Sequence, residues 1–348
     1  MQIWDANMHQ LRETAWRGFV ERLATNQFQP DIITFQDLSR CDGNGDGADD
    51  TIQIRDQLNQ VLGAHWDFRH TDASRACDNT RNAVFWNSNR FSLSTSPTEW
   101  DPAGCASGSD HSLAVLLNDK KNTTGVQKFV VAASLHLDPG LGSPCLSSAL
   151  HETHVKISGI YFGSDLYVVG GDFNQNPDLD SATAAANGLE ADPDCWYRRF
   201  SAAHANTTTV SQTSCGSTQS DQYYDSTWLY PLSGGGTNPT ATSFCQQYTY
   251  STTLSLGTPD AEDVENSCTD ENLDGNPDKK RIDQIWLRWG TSQNPLGGAT
   301  PIPVTIAASH LLYASADTGL RLNSSLSRYS DHRAVQALVQ YPALSAPL

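Results

Sequence analysis

The segment that most constrains the fold is a hydrophobic run at residues 166–169 that ends in Gly170-Gly171-Asp172-Phe173-Asn174. A short apolar run rich in β-branched residues and followed by glycine is typical of a buried strand. Asp172 and Asn174 would then lie on the loop just after this strand. Near the end of the chain is Ser330-Asp331-His332, which would lie at the head of a late strand.

Helical and strand-like patterns are mixed along the chain without strict alternation. The apolar spacing predicts helices at 8–24, 51–62 and 150–162, and strands at 2–6, 31–35, 82–86, 112–117, 129–135, 166–169, 281–287, 304–308 and 333–339. Several consecutive strands in the first half favour antiparallel pairing. We therefore predict an α/β (α+β) fold, a four-layer α/β sandwich in which two mostly antiparallel sheets lie face to face with helices outside.

The segment 192–280 differs in composition from the rest of the chain. It is rich in Thr, Ser, Gly, Asn and Gln and contains Cys195, Cys215, Cys245 and Cys268. We interpret it as a disulfide-stapled insertion rather than an independent unit, so that residues 1–348 form a single domain.

The cysteine pattern favours disulfide bonds and an oxidising compartment. The eight cysteines are even in number and widely spaced, and none form the Cys-x-x-Cys pair of a structural zinc site. Neighbour pairing is a working hypothesis: Cys41–Cys77, Cys105–Cys145, Cys195–Cys215 and Cys245–Cys268. Because the cysteines favour an oxidising compartment, we expect a secreted, extracellular protein. Strand-like residues begin almost at Met1, so we expect its signal peptide to be absent from this chain.

The acidic charge balance limits how the chain can bind a partner. With 39 Asp and Glu against 22 Lys and Arg, the formal net charge is −17. This balance argues against a basic stripe that grips nucleic acid by charge alone, although bound divalent cations can offset local acidity. No stretch approaches the roughly 18 apolar residues of a membrane span. We expect a monomer with no stable membrane association.

Polar residues recur where the predicted strands end. They are Asn7, Gln36-Asp37, His136, Asp172, Asn174, Asp283 and Asp331-His332. In a sandwich these strand ends can converge on one edge and supply the groups that phosphodiester hydrolysis needs. Carboxylates hold a hard divalent cation, and an imidazole held by a carboxylate acts as a general base on water. Amide and imidazole donors stabilise the developing negative charge.

These motifs, in this order, resemble the endonuclease/exonuclease/phosphatase superfamily, which shares the fold of DNase I. The resemblance rests on Ser134-Leu135-His136, Gly171-Asp172-Phe173-Asn174, Arg281-Ile282-Asp283-Gln284-Ile285 and Ser330-Asp331-His332, and together with Asn7 it covers nearly the whole chain. It implies a metal-dependent phosphoric ester hydrolase of a secreted bacterial type, with Mg²⁺ or Mn²⁺ at the active site.

The resemblance also implies a role for each matched residue. The implied metal ligands are Asn7, Asp37 and Asp331, and the implied catalytic residues are His136, Asp172, Asn174, Asp283 and His332. Asp172 would orient or deprotonate the attacking water, and Asp283 would pair with His332 and raise its basicity. The substrate phosphate would be held by Asn82, Asn174 and His136.

Two departures from the family pattern affect these roles. The family usually has glutamate where this chain has Asp37, so the ion must shift or bridge through water to the shorter side chain. The DNase I branch also has a glutamate that orients the first catalytic histidine, and the matching strand here has Arg81-Asn82 instead. We therefore expect His136 to act as a hydrogen-bond donor rather than as a second general base.

Two acidic loops have the ligand spacing of calcium sites. Oxygen-bearing side chains alternate around a glycine turn in each loop, at Asp42, Asn44, Asp46 and Asp50, and at Asp270, Asn272, Asp274 and Asp278. Position twelve lacks the glutamate of a full EF-hand in both loops, so we predict structural Ca²⁺ sites rather than sensors. Merely solvated turns are the alternative.

The leading functional hypothesis is a secreted nuclease that hydrolyses phosphodiester bonds in nucleic acid, with DNA as the expected substrate. A phospholipid phosphodiesterase of the sphingomyelinase kind and a phosphomonoesterase remain open as alternatives. A non-catalytic binding module on the same fold is the alternative of a different class. The aromatic residues Trp196, Tyr223, Tyr224 and Trp228 either pack in the core or line a substrate groove.

Overall fold

The computed structural model of the protein describes residues 1–7, 16, 19–20, 23, 29–38, 49–63, 65–71, 81–102, 112–121, 128–137, 143–160, 166–174, 200, 223–225, 250–251, 279–280, 283–289, 305–311 and 335–340. Over these residues the chain forms two large sheets that share one apolar core.

The first sheet has six strands among the described residues. They are β1 (Gln2–Asn7), β2 (Ile32–Leu38), β3 (Trp66–His70), β4 (Arg81–Asn87), β14 (Thr305–Leu311) and β15 (Val335–Gln340). Their order across the sheet is β14-β15-β1-β2-β4-β3. β1 and β2 run parallel, and the other neighbours are antiparallel.

The second sheet contains β5 (Phe91–Leu93), β6 (Thr98–Trp100), β7 (Ser112–Asp119), β8 (Phe129–His136), β9 (Leu166–Asp172), β10 (Tyr224–Asp225) and β13 (Asp283–Trp289). The order is β10-β13-β9-β8-β7-β5, with β6 also paired to β7. Of these described strands, only β8 and β9 are parallel neighbours. A separate short ribbon joins β11 (Tyr250–Ser251) to β12 (Lys279–Lys280).

Helices cover the outer faces of both sheets. Helix α1 (Asp50–Leu62) places Ile54 and Leu58 against the outer face of the first sheet, and helix α2 (Ser143–Ile160) places Leu150 and Ile157 against that of the second. Strand periodicity explains the layers, because successive side chains point to opposite faces. Ile3 accordingly belongs to the core between the sheets. The described residues therefore confirm the predicted sandwich with its helices outside.

The element bounds differ from the sequence predictions where polar residues continue a regular element. β2 extends through Gln36-Asp37 and β9 extends to Asp172, since backbone pairing does not stop where the apolar run stops. Helix α2 begins at Ser143 rather than near Leu150. The sequence patterns also missed β3, β5 and β6, which are short and partly exposed.

Few residues of the 192–280 segment are described, so its reading as a stapled insertion stays a prediction. Tyr223 is fully buried and stacks on Phe200, with ring centroids 4.2 Å apart. It therefore packs in the core and does not line a groove. Within the described parts of the chain, no helix has the length and apolar character needed to cross a membrane.

Candidate active site

The ends of several strands from both sheets meet at one edge of the sandwich. In the second sheet the backbone of Asp172 at the end of β9 lies opposite His136 of β8 on one side and Asp283 of β13 on the other. In the first sheet, Asn7 at the end of β1 lies opposite Gln36 of β2. The sheets are joined here by Asp37 and His136, whose Oδ1 and Nδ1 atoms lie 3.3 Å apart.

A β-bulge aims Asp37 into this edge. Phe35 pairs with Ala83 and Leu38 pairs with Arg81, so Gln36 and Asp37 together oppose the single residue Asn82. If side chains alternated strictly along β2, Asp37 would lie on the outer face of the sheet, as Phe35 does. The extra residue of the bulge breaks this alternation and lets the Asp37 side chain face the second sheet. The turn is visible in the backbone of Asp37, which has a φ of 52°. Sequence patterns alone do not show such a bulge.

His136 lies between two carboxylates that belong to different sheets. Its Nδ1 is 3.3 Å from Asp37 Oδ1, and its Nε2 is 3.9 Å from Asp172 Oδ2. The second distance is an ion-pair distance and too long for a hydrogen bond. All three side chains are mostly buried, and His136 is the most accessible of them at 14 % exposure. The imidazole is thus held at the rim with negative charge on either side.

The acid that lies beside His136 comes from a strand that the family pattern did not suggest. The expected position carries Arg81-Asn82, and the Arg81 guanidinium is directed to Asp49 at 2.7 Å. Asp37 supplies the carboxylate instead, from one strand over. Asp37 thus places a carboxylate beside His136 although the neighbouring strand carries none at the expected position.

The turn after β9 is held in place by hydrogen bonds. The Asn174 backbone N–H donates to Asp172 Oδ1 at 2.8 Å, and the Asn174 side-chain amide donates to the Leu137 carbonyl at 2.5 Å. Asn174 has a φ of 53°, a conformation that asparagine tolerates better than most residues. One of the two Nδ2 protons is used inside the protein, and an amide carries a second proton for a ligand.

The two glycines before Asp172 are explained by close packing. A Cβ at Gly171 would lie 2.4 Å from the Leu135 backbone oxygen, and one at Gly170 would lie 2.1 Å from Thr34 Oγ1. Neither position has room for a side chain. The Gly-Gly pair therefore brings β9 close to β8 and to the first sheet just below Asp172.

The remaining predicted residues are only partly described. Asn82 is buried at the start of β4, where its N–H and carbonyl both bond to Thr71. The backbones of Asn7 and Asp283 lie at the site edge, but their side chains lie outside the described part of the structure. Asp331 and His332 also lie outside it, so the Asp283–His332 pair stays a prediction.

The predicted calcium loops fall mostly outside the described residues. Asp50 is buried as the first residue of α1, preceded by the capping residue Asp49. The other predicted ligands, Asp42, Asn44, Asp46, Asp270, Asn272, Asp274 and Asp278, are not described. The two structural Ca²⁺ sites stay predictions.

Asp37 has the properties of a ligand for a divalent cation. Its Oδ1 atom is buried and accepts no hydrogen bond of acceptable geometry from the described residues, although it faces His136. An unsatisfied buried carboxylate oxygen is costly, and a bound cation would remove that cost. Among the described residues, no three His, Cys, Asp or Glu side chains group closely enough to hold a metal ion. The Asn7 side chain and Asp331, the other predicted ligands, are not among them.

Comparison with solved structures shows which fold this is. The chain is similar to TDP2 from D. rerio in complex with a single-strand DNA product, with a TM-score of 0.53, 14% identity and coverage of 98% of this chain and 99% of that one. It is also similar to an endonuclease/exonuclease/phosphatase family protein from Leptotrichia buccalis, with a TM-score of 0.54, 13% identity and coverage of 98% and 100%. A third similar structure is the Bacteroides thetaiotaomicron mannosyl-6-phosphatase Bt3783, with a TM-score of 0.50, 13% identity and coverage of 98% and 100%.

The architecture is therefore the DNase I-like α/β sandwich of endonuclease/exonuclease/phosphatase structures. At these identities the likeness shows the fold and leaves the chemistry to be argued from the site. No protein-family model matches the chain. A comparison with curated proteins also found no match.

Proposed function

We propose that this protein is a divalent-metal-dependent phosphodiesterase that hydrolyses nucleic acid, with DNA as its substrate. The observation that carries the proposal is the contact of Asp37 and Asp172 with the two ring nitrogens of His136, at 3.3 and 3.9 Å, where the sheet edges meet. An imidazole held between two carboxylates can serve in acid–base chemistry, and the carboxylates can bind a cation.

Each residue has a definite part in the proposed reaction. Asp172 orients or deprotonates the attacking water, and Asn174 holds the phosphate through its remaining amide proton. His136, which lies between the two carboxylates, donates a hydrogen bond to a phosphate oxygen. Asp283 and His332 form the acid–base pair that the sequence predicts. A cation on Asp37, Asn7 and Asp331 would polarise the phosphoryl oxygens and stabilise the leaving oxygen.

The choice of nucleic acid is supported by a structural neighbour, and the acidic charge of the chain sets a condition on how nucleic acid would bind. The D. rerio TDP2 structure contains a single-strand DNA product. This chain has a net charge of −17, so it lacks the overall positive charge that attracts nucleic acid without cations. The proposal therefore requires bound Mg²⁺ or Mn²⁺ to offset the negative charge where the nucleic acid binds.

A phosphomonoesterase is the second candidate. The mannosyl-6-phosphatase Bt3783 has the same fold, and its substrate is a monoester rather than a diester. A single phosphate pocket of Asn174 and His136 would serve either ester. A sphingomyelinase-like lipid phosphodiesterase and a non-catalytic binding module complete the alternatives.

The experiment compares four substrates under matched conditions. Plasmid DNA, RNA, sphingomyelin vesicles and p-nitrophenyl phosphate are incubated with Mg²⁺, Mn²⁺ or EDTA. We expect DNA to be cleaved with Mg²⁺ or Mn²⁺ only, and His332→Ala to be inactive. Cleavage of p-nitrophenyl phosphate with DNA left intact would indicate a phosphomonoesterase. Cleavage of sphingomyelin with DNA left intact would indicate a lipid phosphodiesterase. Identical inactivity of wild type and His332→Ala on all four substrates would end it.

Secretion and disulfide formation belong to the same proposal. The even number of cysteines supports an extracellular enzyme with four disulfides. Mass spectrometry of the protein isolated from an oxidising compartment should find a mass lower by about eight hydrogens than that of the reduced chain. Eight free thiols in that preparation would contradict it.

A further inference from the structure

A buried polar layer lies between the sheets directly below the candidate active site. It consists of Asp5, Thr34, Gln36 and Ser134, all fully buried. Side chains two positions apart on a strand share a face. Asp5 lies two residues before the end of β1, with its side chain between the sheets, and Ser134 precedes His136 on the face of β8 that meets it.

Asp5 is the acceptor at the centre of this layer. Its Oδ1 accepts a hydrogen bond from Thr34 Oγ1 at 2.5 Å and another from Gln36 Nε2 at 2.9 Å. Both donors lie on β2, the strand that carries Asp37. A carboxyl group costs free energy to bury. Two residues earlier on β1, the same face of the strand carries the apolar Ile3. An apolar side chain at position 5 would fill the sandwich at lower cost.

The layer continues into the second sheet. Gln36 Nε2 also donates to Ser134 Oγ at 3.0 Å, and Ser134 Oγ donates to the Phe35 carbonyl at 2.8 Å. Ser134 thus bonds to the two residues that immediately precede Asp37. On β9, a Cβ at Gly170 would lie 2.8 Å from Asp5 Oδ1, so β9 also rests against this layer.

The layer touches four strands that end at the site, which are β1, β2, β8 and β9. It fixes the Gln36 side chain by two partners immediately before the bulged residue Asp37. The backbone of Asp37 is in a conformation that costs free energy unless its surroundings hold it, with a φ of 52°. The hydrogen bonds on Gln36, the residue immediately before Asp37, are among the contacts that hold it.

We propose that Asp5 is a positioning residue that sets the Asp37 carboxylate for cation binding through Gln36. The inference rests on the proposed function, since it assigns Asp37 the cation. Asp5 does not touch the cation or the substrate in this account. It acts through the hydrogen bond that fixes the bulge, as outer partners of metal ligands do.

The test measures Mn²⁺ affinity directly, by titration followed with electron paramagnetic resonance. Asp5→Ala removes the acceptor, and we expect Mn²⁺ to bind about 10- to 100-fold more weakly. Asp5→Asn keeps an oxygen that can accept from Thr34 and Gln36, so it should bind Mn²⁺ more tightly than Asp5→Ala. Gln36→Leu removes the hydrogen-bond donor that joins Asp5 to the bulge. The double variant Asp5→Ala/Gln36→Leu should bind Mn²⁺ no more weakly than whichever single variant binds it more weakly, because both substitutions act on one chain of contacts.

Thr153→Val is the matched control. Thr153 is fully buried and hydrogen-bonded to Trp100 Nε1 and the Ala149 carbonyl, away from the site on α2. It should lower the melting temperature and leave the Mn²⁺ affinity unchanged. Wild-type Mn²⁺ affinity in Asp5→Ala, or additive losses in the double variant, would overturn the inference.

Parallel hydrolysis assays on DNA separate this inference from the proposed function. If wild type binds Mn²⁺ and cleaves no ester, the proposed function fails and the affinity comparison still decides the role of Asp5. If wild type binds no Mn²⁺, the role of Asp5 is overturned together with the cation site.

Discussion

At the scale of single residues, the site depends on a few positions with unusual backbone requirements. Asp37 and Asn174 both have positive φ, at 52° and 53°. Gly170 and Gly171 leave no space for a Cβ. Aspartate, asparagine and glycine are the residues that meet such demands at least cost. The motif Gly-Gly-Asp-Phe-Asn is therefore a packing requirement as well as a chemical one.

Gly171→Ala should destabilise the protein severely. The new Cβ would meet the Leu135 backbone oxygen at 2.4 Å, and a backbone atom cannot move aside without separating β8 from β9. We expect a loss of about 3 kcal/mol or more in the free energy of unfolding, measured by urea denaturation. Gly159→Ala in helix α2 is the control, because a Cβ at that position would meet nothing within 4 Å. It should stabilise by about 0.4–1 kcal/mol, and equal effects of the two variants would contradict the packing argument.

At the scale of elements, the two sheets are also tied at the end of the sandwich away from the site. Arg90, in the turn between β4 and β5, donates to Asp31 Oδ2 at 2.8 Å and to Asp119 Oδ2 at 3.1 Å. Asp31 immediately precedes β2, and Asp119 ends β7. Burial opposes the charged form of Arg90, but the two carboxylates outweigh it and raise the pKa of the guanidinium.

Arg90→Met should therefore weaken the sandwich. Removing the Arg90 guanidinium leaves the mostly buried carboxylates of Asp31 and Asp119 without their positively charged partner. In comparable buried ion pairs this costs about 3–5 kcal/mol in the free energy of unfolding. Urea denaturation measures the loss. Arg55→Met, which breaks an exposed pair with Asp56, should change stability by less than about 1 kcal/mol. A loss for Arg90→Met as small as that for Arg55→Met would show that the tie does not matter.

The start of helix α1 predicts a pH effect. Burial tends to raise the pKa of Asp49, but hydrogen bonds from Thr51 and the Arg81 guanidinium outweigh it and lower the pKa below its ordinary value of 3.8. A carboxyl whose pKa is lower in the folded state stabilises that state above its unfolded pKa. The contribution is lost as the pH falls through the folded pKa.

Asp49→Asn tests this effect, because asparagine still caps the helix and cannot ionise. Urea denaturation of both proteins should show a constant advantage of wild type above about pH 5 that shrinks as the pH falls below 3.8. The same advantage at pH 3 and pH 7 would contradict the lowered pKa of Asp49.

At the scale of the whole molecule, apolar periodicity was sufficient to predict the sandwich, and most long strands lie close to their predicted bounds. The strand ends that carry Asn7, Asp37, His136, Asp172 and Asp283 do meet at one edge. The β2 bulge could not be predicted, because it depends on Asn82 in another strand. The Asp37–His136 contact could not be predicted either, since it joins residues far apart in sequence across two sheets.

Calcium removal tests a prediction about the intact chain. If the loops at 42–50 and 270–278 hold structural Ca²⁺, EGTA should lower the melting temperature by several degrees, since a ligand that binds only the folded state stabilises it. Added Ca²⁺ should restore the melting temperature, and Asp274→Asn should reduce the response. A melting temperature that EGTA leaves unchanged would exclude both calcium sites.

We propose that the edge where Asp37, His136 and Asp172 meet performs metal-dependent ester hydrolysis. The most direct measurement is the Mn²⁺-dependent rate of DNA cleavage by Asp37→Asn, which keeps the size and the positive φ but loses the charge. Asp67→Asn, at an exposed carboxylate on β3, is the control. We predict a rate at least about 100-fold below wild type for Asp37→Asn and an unchanged rate for Asp67→Asn. Cleavage by Asp37→Asn at the wild-type rate would show that Asp37 is not needed for the reaction and would overturn this proposal.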